Sequence, residues 1–475
     1  MRKLCRKISK EYKFDYDLGE ILSMLVVTRA LFPGSKRSSL ESYQSFLEHS
    51  SIQEQQVYRA LDVLAKHRDD IQAELYQNSQ KILPRKSSIL YYDCTNFFFE
   101  IDQADGFREY GISKEHRPNP LVQMGLFTDA NGIPLAFSLQ SGNQNEQLSL
   151  KPLERKILSD FGCADFVVCT DAGLSSQDNR AFKTRGGRAF ITTQSVKQLK
   201  KFLREWALDP DGWKLAGCKA SFSLAELDEQ KDYDKIFYKE LWINENNFSQ
   251  RLIVSYSLKY RHYNQEIRQG HIDRAIAAMR RGKQGSQSCF PNDYRRFIKS
   301  LAVTDDGEVA ENARIFLNEA LIQKEAMYDG FYAVCTNLEG DIQQVLNVNK
   351  RRWQIESCFR VMKTDFSSRP VYLQKKGRIE AHFLTCFMAL VLVRILEQLV
   401  NCGTEHYTTS QLLKTLSNMK LKKVGKDYVP HYTRTNLTDR LHQIFGFRTD
   451  RQVMTGKQIQ SILKKPFAYE VKAKN

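Results

Sequence analysis

Near the N-terminus, apolar residues recur at helical spacing. Ile21, Leu22, Leu25, Val26, Ala30 and Leu31 form one stripe, and Pro33-Gly34 ends it. A second stripe, Val57, Leu61, Leu64 and Ile71, runs through about 53–81, so residues 17–83 read as helical. The period then changes. Ser87–Phe99, Leu121–Thr128 and Ile133–Gln140 read as three strands, with Asp129-Ala130-Asn131-Gly132 as the hairpin turn between the last two. Gln147–Phe161 reads as a helix crossing over to a strand at 165–170, and a helix over about 176–185 leads to a strand at Arg188–Thr193. Three antiparallel strands followed by alternating helix and strand predict an α/β fold, the ribonuclease-H-like mixed sheet flanked by helices.

Residues 195–325 interrupt that core. Strand-like pieces fall at Ile236–Ile243 and Arg251–Ser257, and Arg261–Arg281 reads as a basic helix. A segment of this length is not a loop, so it reads as a β-containing insertion domain. Ala333–Asn337 re-enters the sheet, about Gly340–Phe366 forms one helix, and Arg378–Leu399 packs behind it, with His382 as a hydrogen-bonded core histidine. The longest apolar run, Phe383–Val393, ends at Arg394, is too short to span a bilayer and reads as a buried helix, so no membrane association is expected. The organisation is a helical N-terminal region 1–86, which by periodicity alone is a plain helical bundle, a core in two parts, 87–194 and 326–402, the insertion 195–325, and a basic C-terminal region 403–475.

Charge narrows the partner. The 475 residues are too many for one core, and they carry a net charge of +16. Residues 403–475 alone hold 14 Lys and Arg against 5 Asp and Glu. Such an excess favours polyanions, because each neutralised phosphate releases counterions. Charge alone does not separate DNA from RNA or an acidic membrane surface. The ten cysteines (Cys5, Cys94, Cys163, Cys169, Cys218, Cys289, Cys335, Cys358, Cys386 and Cys402) include no Cys-x2-Cys pair. A reducing, cytoplasmic setting fits them best. No long apolar stretch follows the charged start Met1-Arg2-Lys3, so no signal peptide is expected.

Three acids carry the candidate chemistry. Asp93 closes the apolar run Ile89-Leu90-Tyr91-Tyr92, Asp171 closes Phe166-Val167-Val168-Cys169-Thr170, and Glu356 falls on a predicted helix. Two carboxylates at adjacent strand ends and a third on a helix can hold two Mg²⁺ ions about 4 Å apart, clamping the attacking and leaving oxygens of a phosphodiester. Mg²⁺ uses one or two carboxylates per ion, so three acids suffice. Taken singly, an Asp after a strand is more often a turn or cap residue. Arg352, Glu356, Arg360 and Lys363, spaced by 4, 4 and 3, share one helix face. That face reads either as a salt-bridged surface, worth little, or as a metal-directed carboxylate flanked by phosphate-directed cations.

Arg352, Glu356 and Lys363 match the Tyr-x2-Arg-x3-Glu-x6-Lys signature of DDE transposases from bacterial insertion sequences, and Asn349 stands where that signature has Tyr. The resemblance continues in order over residues 20 to 400. Tyr92-Asp93-Cys94-Thr95-Asn96-Phe97 resembles the first-acid strand, and Gly111-Ile112-Ser113-Lys114-Glu115-His116-Arg117-Pro118 the loop after it. Gly132–Phe137 with Gly142-Asn143 resembles the next hairpin strand, and Asp171-Ala172-Gly173-Leu174-Ser175-Ser176 the second-acid turn. Tyr328-Asp329-Gly330-Phe331-Tyr332 and Thr336-Asn337-Leu338 resemble the strand leading to the catalytic helix.

The resemblance implies the fold of retroviral integrases. It implies Asp93, Asp171 and Glu356 as catalytic residues and ligands of two Mg²⁺ ions, with Mn²⁺ able to substitute. It implies Arg352, Lys363, Arg360, Lys114 and Arg117 as contacts to DNA phosphates. Expected partners are double-stranded DNA, as element ends and target, and a second protomer in a homodimeric DNA complex, in a bacterial, nucleoid-associated setting. The resemblance also implies that the helical N-terminal region 1–86 is DNA-binding. Among the insertion's aromatics, Trp206, Trp213 and Trp242 are candidates to stack on a flipped base; each reads more often as a packed core aromatic. The expected activity is cleavage of insertion-sequence ends and strand transfer. The alternatives are a catalytically silent, transposase-derived DNA-binding protein, a nuclease of the same fold without strand transfer, and a structural RNA-binding protein.

Overall fold

The computed structural model describes residues 1–464 except 48, 164, 246–247, 282–291, 304–308, 404 and 452. Cys289 and the last part of the basic C-terminal region, 465–475, lie outside the described residues. The chain forms two compact units, Met1–Ala189 with Lys350–Asn475, and Phe190–Asn349.

The first unit opens with five helices: α1 (Arg2–Tyr12), α2 (Leu18–Leu31), α3 (Lys36–Tyr43), α4 (Glu54–Lys66) and α5 (Arg68–Gln80). The Asp17 side chain caps α2 by accepting from the Gly19 and Glu20 N–H groups, and Pro33-Gly34 separates α2 from α3 as expected. The stretch read as one helix over 53–81 breaks at His67 into α4 and α5. Helix α1 was not expected, because on a highly charged segment it buries only Cys5 and Ile8.

The sheet of this unit follows. β1 (Ile89–Phe98) pairs antiparallel with β2 (Leu121–Asp129), and β2 with β3 (Pro134–Ser141). After α6 (Gln147–Asp160), β4 (Val167–Thr170) pairs parallel with β1, and α7 (Gln177–Lys183) follows. The order β3-β2-β1-β4, with two antiparallel pairings and one parallel crossover, is the ribonuclease-H-like arrangement. Every residue of β2 is buried, and Leu90, Tyr92, Phe127, Leu150, Ile157 and Val168 form the core under α6.

The β2–β3 hairpin also fixes the acid-bearing helix, Trp353–Arg360. Asp129 Oδ1 accepts from the Asn131 and Ile133 N–H groups at 2.9 and 3.0 Å, and Arg85 Nε meets Oδ2 at 2.5 Å in a fully buried pair. Gly132 adopts φ 72°, and a Cβ there would stand 3.1 Å from Gln354 Cβ. Cys358 Sγ donates to the Gly132 carbonyl at 3.3 Å. Gly132→Ala is therefore expected to lower stability by about 1–2 kcal/mol, from left-handed backbone strain plus the close approach, read as a lower unfolding midpoint.

The helix Lys376–Val400 packs against α2, α4 and β3. It is long and apolar enough to cross a membrane by length and composition, but 72% of its most apolar window is buried in the structure, the packing of a core helix. His382 lies inside it with Nε2 3.0 Å from the Ser368 carbonyl.

The second unit is an antiparallel sheet. Its strands run Ala189–Gln194, Phe331–Thr336, Phe248–Tyr256, Phe237–Glu245, Trp213–Leu215 and Ser221–Phe222 in spatial order. The strand-like pieces read at Ile236–Ile243 and Arg251–Ser257 thus pair with each other and with Phe331–Thr336. The basic helix runs Leu258–Arg280. Trp213 is fully buried in this unit's core and Trp206 packs against it, whereas Trp242 is exposed.

Candidate active site

Asp93 lies in mid-strand, not at a strand end, because β1 continues to Phe98 while paired with β2. The parallel ladder matches Tyr92 with Thr170, so the next residues, Asp93 within β1 and Asp171 just beyond the end of β4, lie side by side. Asp171 follows β4 directly and stands at the N-cap position of the short turn Ala172–Leu174, with no side-chain capping bond. Glu356 is on the first turn of Trp353–Arg360.

One guanidinium joins these acids. Arg352 is largely buried; its Nη1 meets Asp171 Oδ1 at 3.0 Å and its Nη2 stands 3.9 Å from Glu356 Oε1. Asp93 feels the same guanidinium. Burial pushes the Asp93 carboxyl up to about 6, and the Asp171 charge adds to this; Lys114, the Cys94 N–H and Arg352 pull the other way. Folding thus gathers three acids from distant parts of the chain around one cation. The gathering is loose: among the described residues, only Asp439, His442 and Asp450 bring ligand atoms within 4.8 Å of one another. That C-terminal group is already neutralised by Arg448 and Arg434.

The donor set around Arg352 fits a hard divalent cation. It offers carboxylate oxygens only, the ligands that such an ion prefers.

The other predicted residues fall in three places. Lys114 Nζ donates to the Cys94 carbonyl at 2.5 Å and meets Glu146 at 3.2 Å. Burial works against its charge, but Asp93 and Glu146 outweigh it and raise its pKa. Lys363 lies in a π-helical turn, Val361–Asp365, that ends the acid-bearing helix. This turn breaks the regular face expected for Arg352, Glu356, Arg360 and Lys363. Lys363 Nζ instead reaches Glu115 at 2.9 Å; burial and the Lys114 charge lower its pKa to about 8, against that pairing. Arg117 lies over the Phe98 ring, and Arg360 is exposed with Nη2 3.4 Å from Ser357 Oγ. The helix expected at Gly340–Phe366 is interrupted at Arg351-Arg352, which puts Arg352 at the N-cap of the acid-bearing segment. Asn349, in the second unit, donates from Nδ2 to the Tyr332 hydroxyl at 2.6 Å.

Residues 86–392, more than half of the chain, match the family described as the Transposase DDE domain. The chain belongs to the DDE transposase family. No curated protein matches its sequence. Among solved structures, this transposase is similar to the piggyBac transposase synaptic complex with hairpin DNA, at 7% identity and a TM-score of 0.41, over 85% of this chain and 70% of that one. It is also similar to the Mos1 transposase paired-end complex with the left transposon end, at 12% identity and a TM-score of 0.15, over 35% of this chain and 55% of that one. Glu115 and Glu146, which engage the predicted lysines, and Arg369, which pairs with Glu115, carry no signal that singles them out in the sequence. Glu115 sits inside the motif Gly111–Pro118, but nothing local ties it to a lysine 248 residues away.

Proposed function

We propose that this transposase cuts DNA at the ends of its element and joins them to a target, with Asp93, Asp171 and Glu356 as the ligands of two Mg²⁺ ions for which Mn²⁺ can substitute. The observation that carries the reading is the convergence of these three acids on Arg352, inside the part of the chain that matches the Transposase DDE domain. Bound there, the ions would supply Lewis-acid polarisation of the scissile phosphodiester. The chain's own residues do the rest. Asp93 offers a half-buried carboxylate on the paired strand β1. Arg352 holds Asp171 and Glu356 in register and presents its guanidinium to phosphate oxygens. Lys114, kept protonated by Asp93 and Glu146, backs the first acid. Lys363, Arg360 and Arg117 add phosphate contacts, and the net charge of +16 draws in double-stranded DNA.

No side chain need form a covalent link to DNA, because water and then the freed 3′-hydroxyl serve as nucleophiles. A homodimer would bring two element ends together, in a bacterial cytoplasm at the nucleoid. The test uses a supercoiled plasmid carrying the DNA that flanks the gene. Strand breaks at the element boundary and joined products are expected with Mg²⁺ or Mn²⁺, and none with a chelator. Breaks without joining would favour a nuclease on this fold. Binding with no breaks under any metal would make the chain a silent descendant.

A further inference from the structure

Glu115 stands between two cations. Its Oε1 accepts from Lys363 Nζ at 2.9 Å, and its second oxygen is ion-paired with Arg369. The floor beneath them is the end of β1: Lys363 lies 5.3 Å from the Phe97 ring centroid and Arg369 lies 5.2 Å from that of Phe98. The three charged side chains retain 15%, 25% and 23% exposure for Lys363, Arg369 and Glu115, so a solute can reach them. Lys114, the residue before Glu115, donates to the carbonyl of Cys94, the residue after Asp93, which places the cluster near the first acid. Both loops that bring the charges together carry a non-glycine residue in the left-handed region, His116 at φ 55° and Ser367 at φ 43°.

A carboxylate and a phosphodiester present the same pair of anionic oxygens to an Arg fork and a Lys point charge. We propose that Lys363 and Arg369 form a subsite for one backbone phosphate of bound DNA, and that Glu115 fills this subsite until the phosphate displaces it. The assignment to DNA rests on the transposase reading; the geometry of two cations on one internal anion does not. Arg369 thereby becomes a positioning residue for the strand near the cut, and Glu115 a built-in competitor that weakens binding to DNA unless a phosphate displaces it.

The consequence appears in salt dependence. In the wild-type protein the incoming phosphate expels a tethered carboxylate. In Glu115→Gln it expels counterions instead, and each released ion adds about 0.9 to the slope of log affinity against log salt. For a short random-sequence duplex titrated between about 50 and 200 mM salt, Glu115→Gln is expected to bind about five to twenty times more tightly at the low end, with a slope steeper by about one. Adding Arg369→Gln to that variant should return both values toward wild type. Glu339→Gln, which removes an exposed acid in the second unit, controls for net charge and should leave the slope unchanged.

Equal affinity and slope for Glu115→Gln and wild type overturn the proposal, as does the same gain in Glu339→Gln. Should Glu115→Gln not fold, Arg369→Gln alone serves: weaker binding with a shallower slope supports the subsite, and unchanged binding overturns it. Plasmid cleavage by the wild-type protein separates the two readings. Cleavage with no effect of Glu115 sinks the subsite alone, whereas a Glu115 effect without cleavage sinks the enzymology and leaves a phosphate site.

Discussion

Replacing Asp93, Asp171 or Glu356 singly with Ala is expected to lower strand cleavage at least about a thousandfold while DNA binding survives. The argument is cooperative. The three carboxylates share one counter-charge, Arg352, and would share the same pair of ions, so losing one acid disables the unit. Double variants should then be scarcely worse than single ones, as for other residues that act together. Gel analysis of plasmid nicking gives the rate, and band-shift titration with the same DNA gives the binding. Asp171 and Glu356 are the sharper probes, because both are substantially exposed and their loss removes little packing. Retention of near-wild-type cleavage by any one variant would remove that acid from the site.

Much of this site could be read along the chain, and the reason is local. β1, β2 and β3 carry continuous apolar runs, and the turn between β2 and β3 has its Asp129 cap and its positive-φ Gly132 at the positions a tight hairpin demands. The three acids stand out as candidates because each ends or follows an apolar run, or sits on a motif of fixed spacing. What was misread involves pairing at a distance. Asp93 reads as a strand end when taken as the first charge after Ile89–Tyr92, yet the strand read over Ser87–Phe99 is the one that forms, and Cys94–Phe98 stay in it through their partners on β2. The acid-bearing helix looked continuous, because no glycine or proline marks the break at Arg351-Arg352 or the π turn at Val361–Asp365. The pairing of Glu115 with Lys363 and Arg369 has no periodic signature, since it joins two loops far apart in sequence.

The buried Asp93 carboxyl has a measurable effect on stability. Its pKa is raised from 3.8 to about 6 by burial, so the folded state holds its proton more tightly than the unfolded state does. By linkage, stability falls as pH rises through that window and is lowest, on this account, above pH 6. Two pH units correspond to about 3 kcal/mol for a fully enclosed group, and Asp93 retains some solvent contact, so about 1–3 kcal/mol is expected. Asp93→Asn keeps an oxygen for the Cys94 N–H and removes the charge. In metal-free buffer at pH 7.5 this variant should therefore melt higher than wild type, and the gap should close near pH 4, where the wild-type carboxyl is protonated too. Mg²⁺ should reverse the order: it stabilises whichever folded form binds it, so the wild-type midpoint should climb with concentration while that of Asp93→Asn stays put. A variant that melts lower than wild type at every pH would show that the Asp93 charge is already well compensated by Lys114 and Arg352. The site would then have no need of a cation.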